Sequence, residues 1–335
     1  MSDIIATNNA IRDSVSCDSG ESNVKQYLKL SLQLAYVLPL GFLYLSFLML
    51  IVKKRKVPGV FEDSFFTLHL VDGVITLYFL VLNTSFFRVT SYVRPVCEFL
   101  VPLLKDPSYI LTPFYTSYMY AQLAKMLSTL AMSINRYTSV NNPVQHKMIW
   151  MKYSSKAIAL IFIIPLFGVW PVAIGNTSFL PFNGNGYIAY EHVFSWARTS
   201  YGRLALSIPT IAFIIYSSII TSTKLRKLGG HMKKVEFSMN VATIFTSCGF
   251  VSVVVLQFLY LKIDTNTVSN EVGMTKLIMA ATQLSNDFYM LSGPAVLVIL
   301  EKRMRSSFRC CTQTVSSSGR RTNGSVQPIT FVISH

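Results

Sequence analysis

Long apolar runs alternate with short polar segments along the chain. Each of seven runs has at least 20 residues and few charged side chains. A run of about 18 or more apolar residues is long enough for a helix to cross the hydrocarbon core of a membrane. The seven predicted membrane spans are residues 28–52, 64–87, 109–135, 157–176, 203–223, 237–261 and 276–300.

The composition agrees with a membrane protein. Apolar residues make up 51% of the chain and charged residues 13%, whereas a soluble domain has about 25% charged residues. The 23 Phe and 17 Tyr are too many for a chain that is mainly disordered. Because lipid offers no partners to backbone N–H and C=O groups, each span must be helical. The pattern therefore predicts an all-α membrane protein with a seven-transmembrane helix bundle.

The basic residues indicate which segments between the spans face the cytoplasm. Of the 30 Lys and Arg residues, 19 lie in segments 53–63, 136–156 and 224–236 and in the tail from residue 301. Short cytoplasmic loops carry an excess of Lys and Arg. We therefore predict that the N-terminus, residues 1–27, is extracellular and that the C-terminus is cytoplasmic. On this scheme Arg88 belongs to the first outer loop, just after the second span.

The third span ends in Asn135-Arg136-Tyr137. Seven spans with the N-terminus outside is the topology of G-protein-coupled receptors, and this triplet resembles the Asp-Arg-Tyr motif of rhodopsin-like receptors. The resemblance implies that the triplet contacts a heterotrimeric G protein. An ordinary basic flank of a span is the alternative interpretation. Asn135 cannot form the acidic lock on Arg136 that the family motif provides. The basic residues expected to share this contact are Lys224, Arg226 and Lys227.

Three charged side chains lie deep in predicted spans: Asp72, Lys125 and Asp287. Such residues are costly in lipid unless they are paired or hydrated, and they often mark functional sites. Lys125 lies eleven residues before Arg136, on the same helix face and about 16 Å away. In rhodopsin-like receptors the corresponding positions flank a sodium site. We hypothesise that the Lys125 ammonium replaces sodium and pairs with Asp72. Asp287, beside Asn286, is the competing partner, and the group is either an activation switch or a structural pair.

Polar and apolar residues on the outward half of the third span predict a ligand pocket. Small-molecule sites are concave and mostly apolar, with a few polar groups. A pocket between the outer ends of the helices, beneath the second outer loop, fits this description. The candidate pocket residues are Tyr115, Tyr118, Met119 and Gln122.

Cysteines and one sequon suggest covalent modifications. Rhodopsin-like receptors usually have a disulfide in the outer loops. Here Cys17 and Cys97 are the two outer cysteines, and they either form a bond or are free thiols. The juxtamembrane segment 301–311 is expected to be amphipathic, with Cys310 and Cys311 open to palmitoylation. Residues 312–335 are expected to form a disordered cytoplasmic tail. Asn176 begins an outward glycosylation sequon.

Three stretches of the sequence occur in a distinctive combination and order. They are Gln33-Leu34-Ala35-Tyr36 with Tyr27, Pro39 and Leu43-Tyr44, Phe61-Glu62-Asp63-Ser64-Phe65-Phe66 with Val71-Asp72, and Asn135-Arg136-Tyr137-Thr138-Ser139-Val140 with Pro143 and Trp150. Together they resemble the nematode serpentine chemoreceptors, most closely class gamma, and the resemblance runs over residues 24–305. It implies a chemosensory receptor in the plasma membrane of sensory neurons, coupled to a heterotrimeric G protein. The implied ligands are small environmental or pheromonal molecules.

An ion channel or transporter and a membrane enzyme are the two alternative classes of function. A seven-span ion channel or transporter would use Lys125, Asp72 and Asp287 as an ion path. A membrane enzyme would need a catalytic set, but the chain has no His-Glu-x-x-His motif and no Gly-x-Ser-x-Gly motif. The sequence also has no cluster with metal-ligand spacing. We therefore expect a protein without enzymatic activity, cofactor or metal, and without nucleic acid as a partner.

Overall fold

The computed structural model describes residues 17, 22–54, 64–104, 106–182, 185–190, 199–227, 230–265 and 272–300. This part of the chain consists of helices and one β-hairpin. The elements are α1 (Asn23–Lys54), α2 (Ser64–Leu82), a π-helical segment (Asn83–Arg88), α3 (Val89–Tyr92), α4 (Arg94–Leu104), α5 (Thr112–Asn141), α6 (Pro143–Ala173), β1 (Thr177–Phe182), β2 (Asn185–Tyr190), α7 (Thr199–Lys227), α8 (Gly230–Thr265) and α9 (Val272–Leu300).

The long helices occupy the positions of the seven predicted spans. They are α1, α2 with its continuation through α3, α5, α6, α7, α8 and α9. Several extend past the predicted boundaries. For example, α5 ends at Asn141 and α6 begins at Pro143, so segment 136–156 is largely helical rather than a loop. Backbone hydrogen bonding continues where hydropathy falls, and the apolar pattern therefore does not mark the helix ends.

In the described part of the chain, five helices are long and apolar enough to cross a membrane. They are Asn23–Lys53, Ser64–Tyr92, Pro143–Ala173, Arg203–Leu225 and Phe237–Leu259. Helix α5 is more polar, and half of its 30 residues are buried. It packs against α2, α6, α7 and α8. A helix enclosed by other helices needs no broad apolar stripe towards lipid, which explains why α5 tolerates Lys125 and several hydroxyl side chains.

Large apolar side chains cover the outside of the bundle. Phe42 of α1 is 70% exposed, and Phe167 of α6 is 74% exposed. Soluble monomers rarely present contiguous apolar surface beyond a few hundred Å², whereas lipid tails solvate it readily. The exposed apolar surface and the long helices together identify a multi-pass membrane protein.

A two-stranded antiparallel hairpin lies between α6 and α7. Strands β1 and β2 pair from Thr177 with Tyr190 to Phe182 with Asn185. They lie in the segment that the sequence analysis assigned to the second outer loop. Thr177 also bonds to Ser108 through both backbone groups, at 2.9 and 3.0 Å. These bonds fix the hairpin beside the start of α5. We call this end of the bundle the hairpin end and the opposite end the Arg136 end.

Candidate functional site

An ion pair lies in the middle of the bundle, between α2 and α5. Lys125 Nζ is 2.6 Å from Asp72 Oδ2, and both residues are at most 2% exposed. This is the contact that the sequence hypothesis proposed for the lysine. Removing one partner of a buried pair leaves an uncompensated charge, whereas the intact pair roughly offsets its own desolvation cost.

Hydroxyl groups complete the surroundings of the pair. The Tyr44 hydroxyl donates to Asp72 Oδ2 at 2.7 Å, and the Ser128 hydroxyl donates to Oδ1 at 2.9 Å. Lys125 also donates to Thr76 Oγ1 at 3.0 Å. We call these five residues the central polar cluster. It joins α1, α2 and α5, and its hydrogen bonds offset the cost of burying polar groups in a low dielectric.

Tyr289 connects α9 to the central polar cluster. Lys125 Nζ lies 5.7 Å from the centre of the Tyr289 ring, within the range of a cation–π contact. The Tyr289 hydroxyl is 3.0 Å from Thr129 Oγ1, one turn along α5 from Lys125. The ring also stacks on Phe250 of α8 at 5.2 Å between centroids. A shift of α8 or α9 would therefore disturb the surroundings of the buried ammonium.

A second buried ion pair was missed by the sequence analysis. Arg88 donates to Asp287 Oδ1, and the two side chains are 0% and 2% exposed. The Tyr36 hydroxyl donates to the other carboxylate oxygen at 2.6 Å. Arg88 therefore lies inside the bundle rather than in an outer loop. Asp287, which was considered as a rival partner for Lys125, is held by Arg88 instead.

The π-helical segment Asn83–Arg88 explains the position of Arg88. A π-helical turn widens the helix by one residue and rotates the residues that follow it. Both Asn83 and Arg88 point inward and are buried. The only signal in the sequence is that Arg88 directly follows an apolar run, at a distance that a tilted span still covers. Hydropathy alone does not report a local change of helical pitch.

A narrow cavity lies between α5, α7, α8 and α9 on the hairpin side of the central polar cluster. It has room for the centres of only a few water molecules, about 30 Å³. Gln122, one of the predicted pocket residues, lines it, and so does Asn286. The polar residues of its wall are Gln122, Arg203, Ser207, Gln257, Asn286 and Tyr289. Arg203, Ser207 and Gln257 were not predicted, because only helix packing brings them to the same space.

The other predicted pocket residues lie beside this cavity. The Met119 sulfur accepts a hydrogen bond from Arg203 Nη1 at 3.4 Å. Tyr118 is held between two rings of the second span, with centroids 5.1 Å from Phe79 and 4.2 Å from Phe87. Tyr115 packs on the core at the start of α5. None of these three residues is part of the described lining of the cavity.

At the Arg136 end, the arginine is packed rather than solvated. Its guanidinium carbon lies 3.6 Å from the centre of the Phe65 ring, and the residue is 3% exposed. Nη1 is 2.9 Å from the Met239 sulfur, and Nη2 donates to Asn135 Oδ1 at 3.4 Å. Asn135 donates to the Ser64 hydroxyl at 2.7 Å. Asn135 thus links Arg136 to Ser64 at the start of α2.

The other residues predicted for G-protein contact are Tyr137 on α5 and three residues in the last turns of α7. The Tyr137 ring faces two aromatic side chains of α7, 6.5 Å from Phe213 and 6.4 Å from Tyr216. Lys224 is exposed in the last turns of the same helix. Arg226 and Lys227 follow it in α7, but their side chains lie outside the described part of the structure.

The structure describes some of the residues predicted to be modified and not others. Cys17 and Cys97 form a disulfide, and Cys97 packs with Phe179 of the hairpin. Asn176 lies between α6 and β1, and the sequon hydroxyl of Ser178 is 1% exposed, so the folded bundle does not present that hydroxyl to solvent. Cys310 and Cys311 lie outside the described residues, as do segments 301–311 and 312–335.

The chain is similar to known chemoreceptors over most of its length. Residues 30–308 match the family model described as Srg family chemoreceptor. The chain is 26% identical over 303 residues to serpentine receptor class gamma-15 of Caenorhabditis elegans, which covers 90% of this chain and 92% of that protein. It is 27% identical over 324 residues to class gamma-13 of the same organism, covering 95% and 94%. The similarity therefore extends through all the helices described above.

Proposed function

Since the chain belongs to the Srg family of chemoreceptors, we propose that it acts as a G-protein-coupled receptor for a small environmental or pheromonal molecule. The ligand binds in the cavity near the hairpin end, and the Arg136 end activates a heterotrimeric G protein. The observation that carries the proposal is that Tyr289 contacts both the cavity and the central polar cluster. This residue lines the cavity and also contacts Lys125 and Thr129.

The central polar cluster is the proposed switch between the two ends. A ligand that moves α8 or α9 displaces Tyr289, and the Lys125–Asp72 pair then adopts a second set of partners. The change reaches Arg136 along α5, whose rise over eleven residues is about 16 Å. Arg136 leaves Phe65 and Met239 and meets the G protein. The shift between states is limited by the difference in the ligand's affinity for them.

The membrane arrangement completes the proposal. All seven long helices span the plasma membrane of sensory neurons, with the hairpin end outside. Lys53, Lys147 and Lys224 are exposed near the Arg136 end, as the excess of basic residues on cytoplasmic surfaces requires. The Cys17–Cys97 disulfide supports the same orientation, since disulfides form in oxidising compartments.

The alternative of an ion channel or transporter is not favoured. An ion path needs titratable or charged groups that exchange partners with a moving ion. Lys125, Asp72 and Asp287 are instead buried in two separate pairs, and hydroxyl groups from neighbouring helices complete their hydrogen bonds. A receptor family also gives no support to an enzymatic activity, and we propose none.

The Arg136→Ala variant tests the receptor proposal. We expect ligand-dependent nucleotide exchange on a heterotrimeric G protein in the wild type, and its loss in the variant, since the guanidinium is removed from the proposed contact. The measurement uses membranes that contain equal amounts of receptor and a panel of small odorants. Lys147→Ala is the matched control, because Lys147 is an exposed basic residue at the same end. Ligand-evoked current or flux without nucleotide exchange would contradict the proposal.

A further inference from the structure

Arg203 lines the cavity, and no carboxylate among the described residues pairs with it. Its only hydrogen bond in the described structure goes to the Met119 sulfur, at 3.4 Å. None of the ion pairs among the described residues includes it. A guanidinium carries five N–H donors in a planar fork, and a thioether sulfur is a weak acceptor. Among the described residues, the five donors of Arg203 therefore have only this one weak acceptor.

A buried acceptor lines the same cavity. Gln122 is 9% exposed, and its Oε1 atom has no hydrogen-bond partner in the described structure. Buried polar atoms are nearly always satisfied. Gln122 belongs to α5 and Arg203 to α7, so an amide and a guanidinium line the same cavity from facing helices. Rotation of the Gln122 amide exchanges its oxygen and its N–H donors, so that an anion held by Arg203 can accept hydrogen bonds from both residues.

The rest of the wall is apolar. Its residues hold aliphatic, sulfur-containing or aromatic side chains that would enclose the body of a ligand rather than its polar head. Burial of such a body is favourable in proportion to the apolar area removed from water. The apolar wall residues are Leu123, Met126, Phe250, Val253, Val254 and Met290.

We propose that this cavity binds a small carboxylate with an apolar body, and that Arg203 is the residue that recognises the carboxylate. This inference rests on the proposed receptor function and adds the chemical class of the ligand. A carboxylate accepts two parallel hydrogen bonds from one guanidinium. It is also planar and compact, which suits a cavity of about 30 Å³ better than a tetrahedral phosphate.

One residue that lines the cavity also contacts the central polar cluster. Met126 and Tyr289 line the cavity; Met126 follows Lys125 directly in α5, and the Tyr289 ring lies 5.7 Å from Lys125 Nζ. A carboxylate held at Arg203 places its apolar body against these side chains. The ligand thereby acts on the central polar cluster without touching its ion pair.

Binding to the purified full-length protein in nanodiscs of zwitterionic lipid tests the assignment. Hexanoate is the probe, and hexanamide is its neutral counterpart. We expect hexanoate to bind about tenfold more tightly, since charge-assisted hydrogen bonds are roughly twice as strong as neutral ones. Arg203→Met should abolish that preference, while Arg203→Lys should retain part of it. Arg94→Met is the matched control, because Arg94 is an arginine at the hairpin end that does not line the cavity.

Three results would overturn the assignment. They are equal binding of hexanoate and hexanamide to the wild type, a preference that survives in Arg203→Met, or no binding of any carboxylate from butyrate to decanoate. The first and third need no variant and hold even if Arg203→Met does not fold. Nucleotide exchange separates this inference from the receptor proposal. Nucleotide exchange driven only by neutral odorants would support the receptor function and contradict the carboxylate as ligand. Carboxylate binding without any nucleotide exchange would support the ligand class and contradict the receptor function.

Discussion

At the scale of single residues, the charge of Asp72 is matched by donors from two neighbouring helices. Its two oxygens accept from Lys125 and Ser128 of α5 and from Tyr44 of α1. Arg88 and Asp287 form a second pair that is equally enclosed. Buried pairs of this kind contribute little net stability, but each partner depends strongly on the other. The ion pairs therefore fix which helix faces meet.

Lys125→Met should destabilise the protein by about 3–5 kcal/mol, because Asp72 would be left as a buried carboxylate without a counter-charge. Thermal unfolding of the purified protein in detergent measures the effect. Lys53→Met removes an exposed lysine of α1 and should leave the midpoint unchanged. The double variant Asp72→Asn/Lys125→Met should recover part of the loss. If Lys125→Met unfolded at the wild-type temperature, the ion pair would have no structural importance.

At the scale of elements, α9 joins three sites within one turn. Asn286 lines the cavity, Asp287 pairs with Arg88, and Tyr289 contacts the central polar cluster. Helix α8 packs closely against this stretch. A Cβ atom on Gly249 would lie only 2.9 Å from Tyr289 Cα. The absence of a side chain at Gly249 therefore sets the distance between α8 and α9, and with it the position of Tyr289.

Gly249→Ala should force α8 and α9 apart and destabilise the fold by about 1–3 kcal/mol, the usual cost of overpacking. The backbone of Tyr289 cannot move aside as a flexible side chain would. Gly41→Ala is the matched control, because its added Cβ would meet only Leu80, at an ordinary 3.9 Å. Thermal unfolding compares the two variants, and ligand-driven nucleotide exchange should change only in Gly249→Ala. Equal behaviour of both variants would argue against a fixed contact between α8 and α9.

At the scale of the whole molecule, the two ends of the bundle differ in chemistry. The hairpin end has the β-hairpin and the Cys17–Cys97 disulfide. The Arg136 end has exposed lysines and a buried arginine. This asymmetry is what a receptor needs if it takes ligand from one side and contacts a protein on the other.

An N-terminal epitope tag should be accessible to antibody on intact cells, and a C-terminal tag only after permeabilisation. The physical reason is the excess of Lys and Arg in segments assigned to the cytoplasm. Peptide mapping without reducing agent should recover Cys17 and Cys97 in one linked fragment, which requires the outer side. A tag placed after residue 267, in the segment between α8 and α9, controls for insertion of the later helices. The opposite labelling pattern would reverse the orientation and place Arg136 outside.

The hydropathy pattern was sufficient to predict a helical membrane bundle and the approximate positions of its seven long helices. Solvation decides these features, because each apolar run must leave water whatever its neighbours are. The proposed contact between Lys125 and Asp72 also came from the sequence, since two opposite charges buried in lipid require partners. The family resemblance was confirmed by the match over residues 30–308.

Only the tertiary structure decided which side chains meet across helices. The pairing of Asp287 with Arg88 depends on the π-helical segment, and the cavity with Arg203 depends on how α5, α7, α8 and α9 pack. The hairpin at 177–190 depends on pairing with the start of α5. Periodicity describes one helix at a time, whereas these features arise from helix rotation, pitch and contact. Solvation fixed the class of protein, and packing between helices fixed its candidate site.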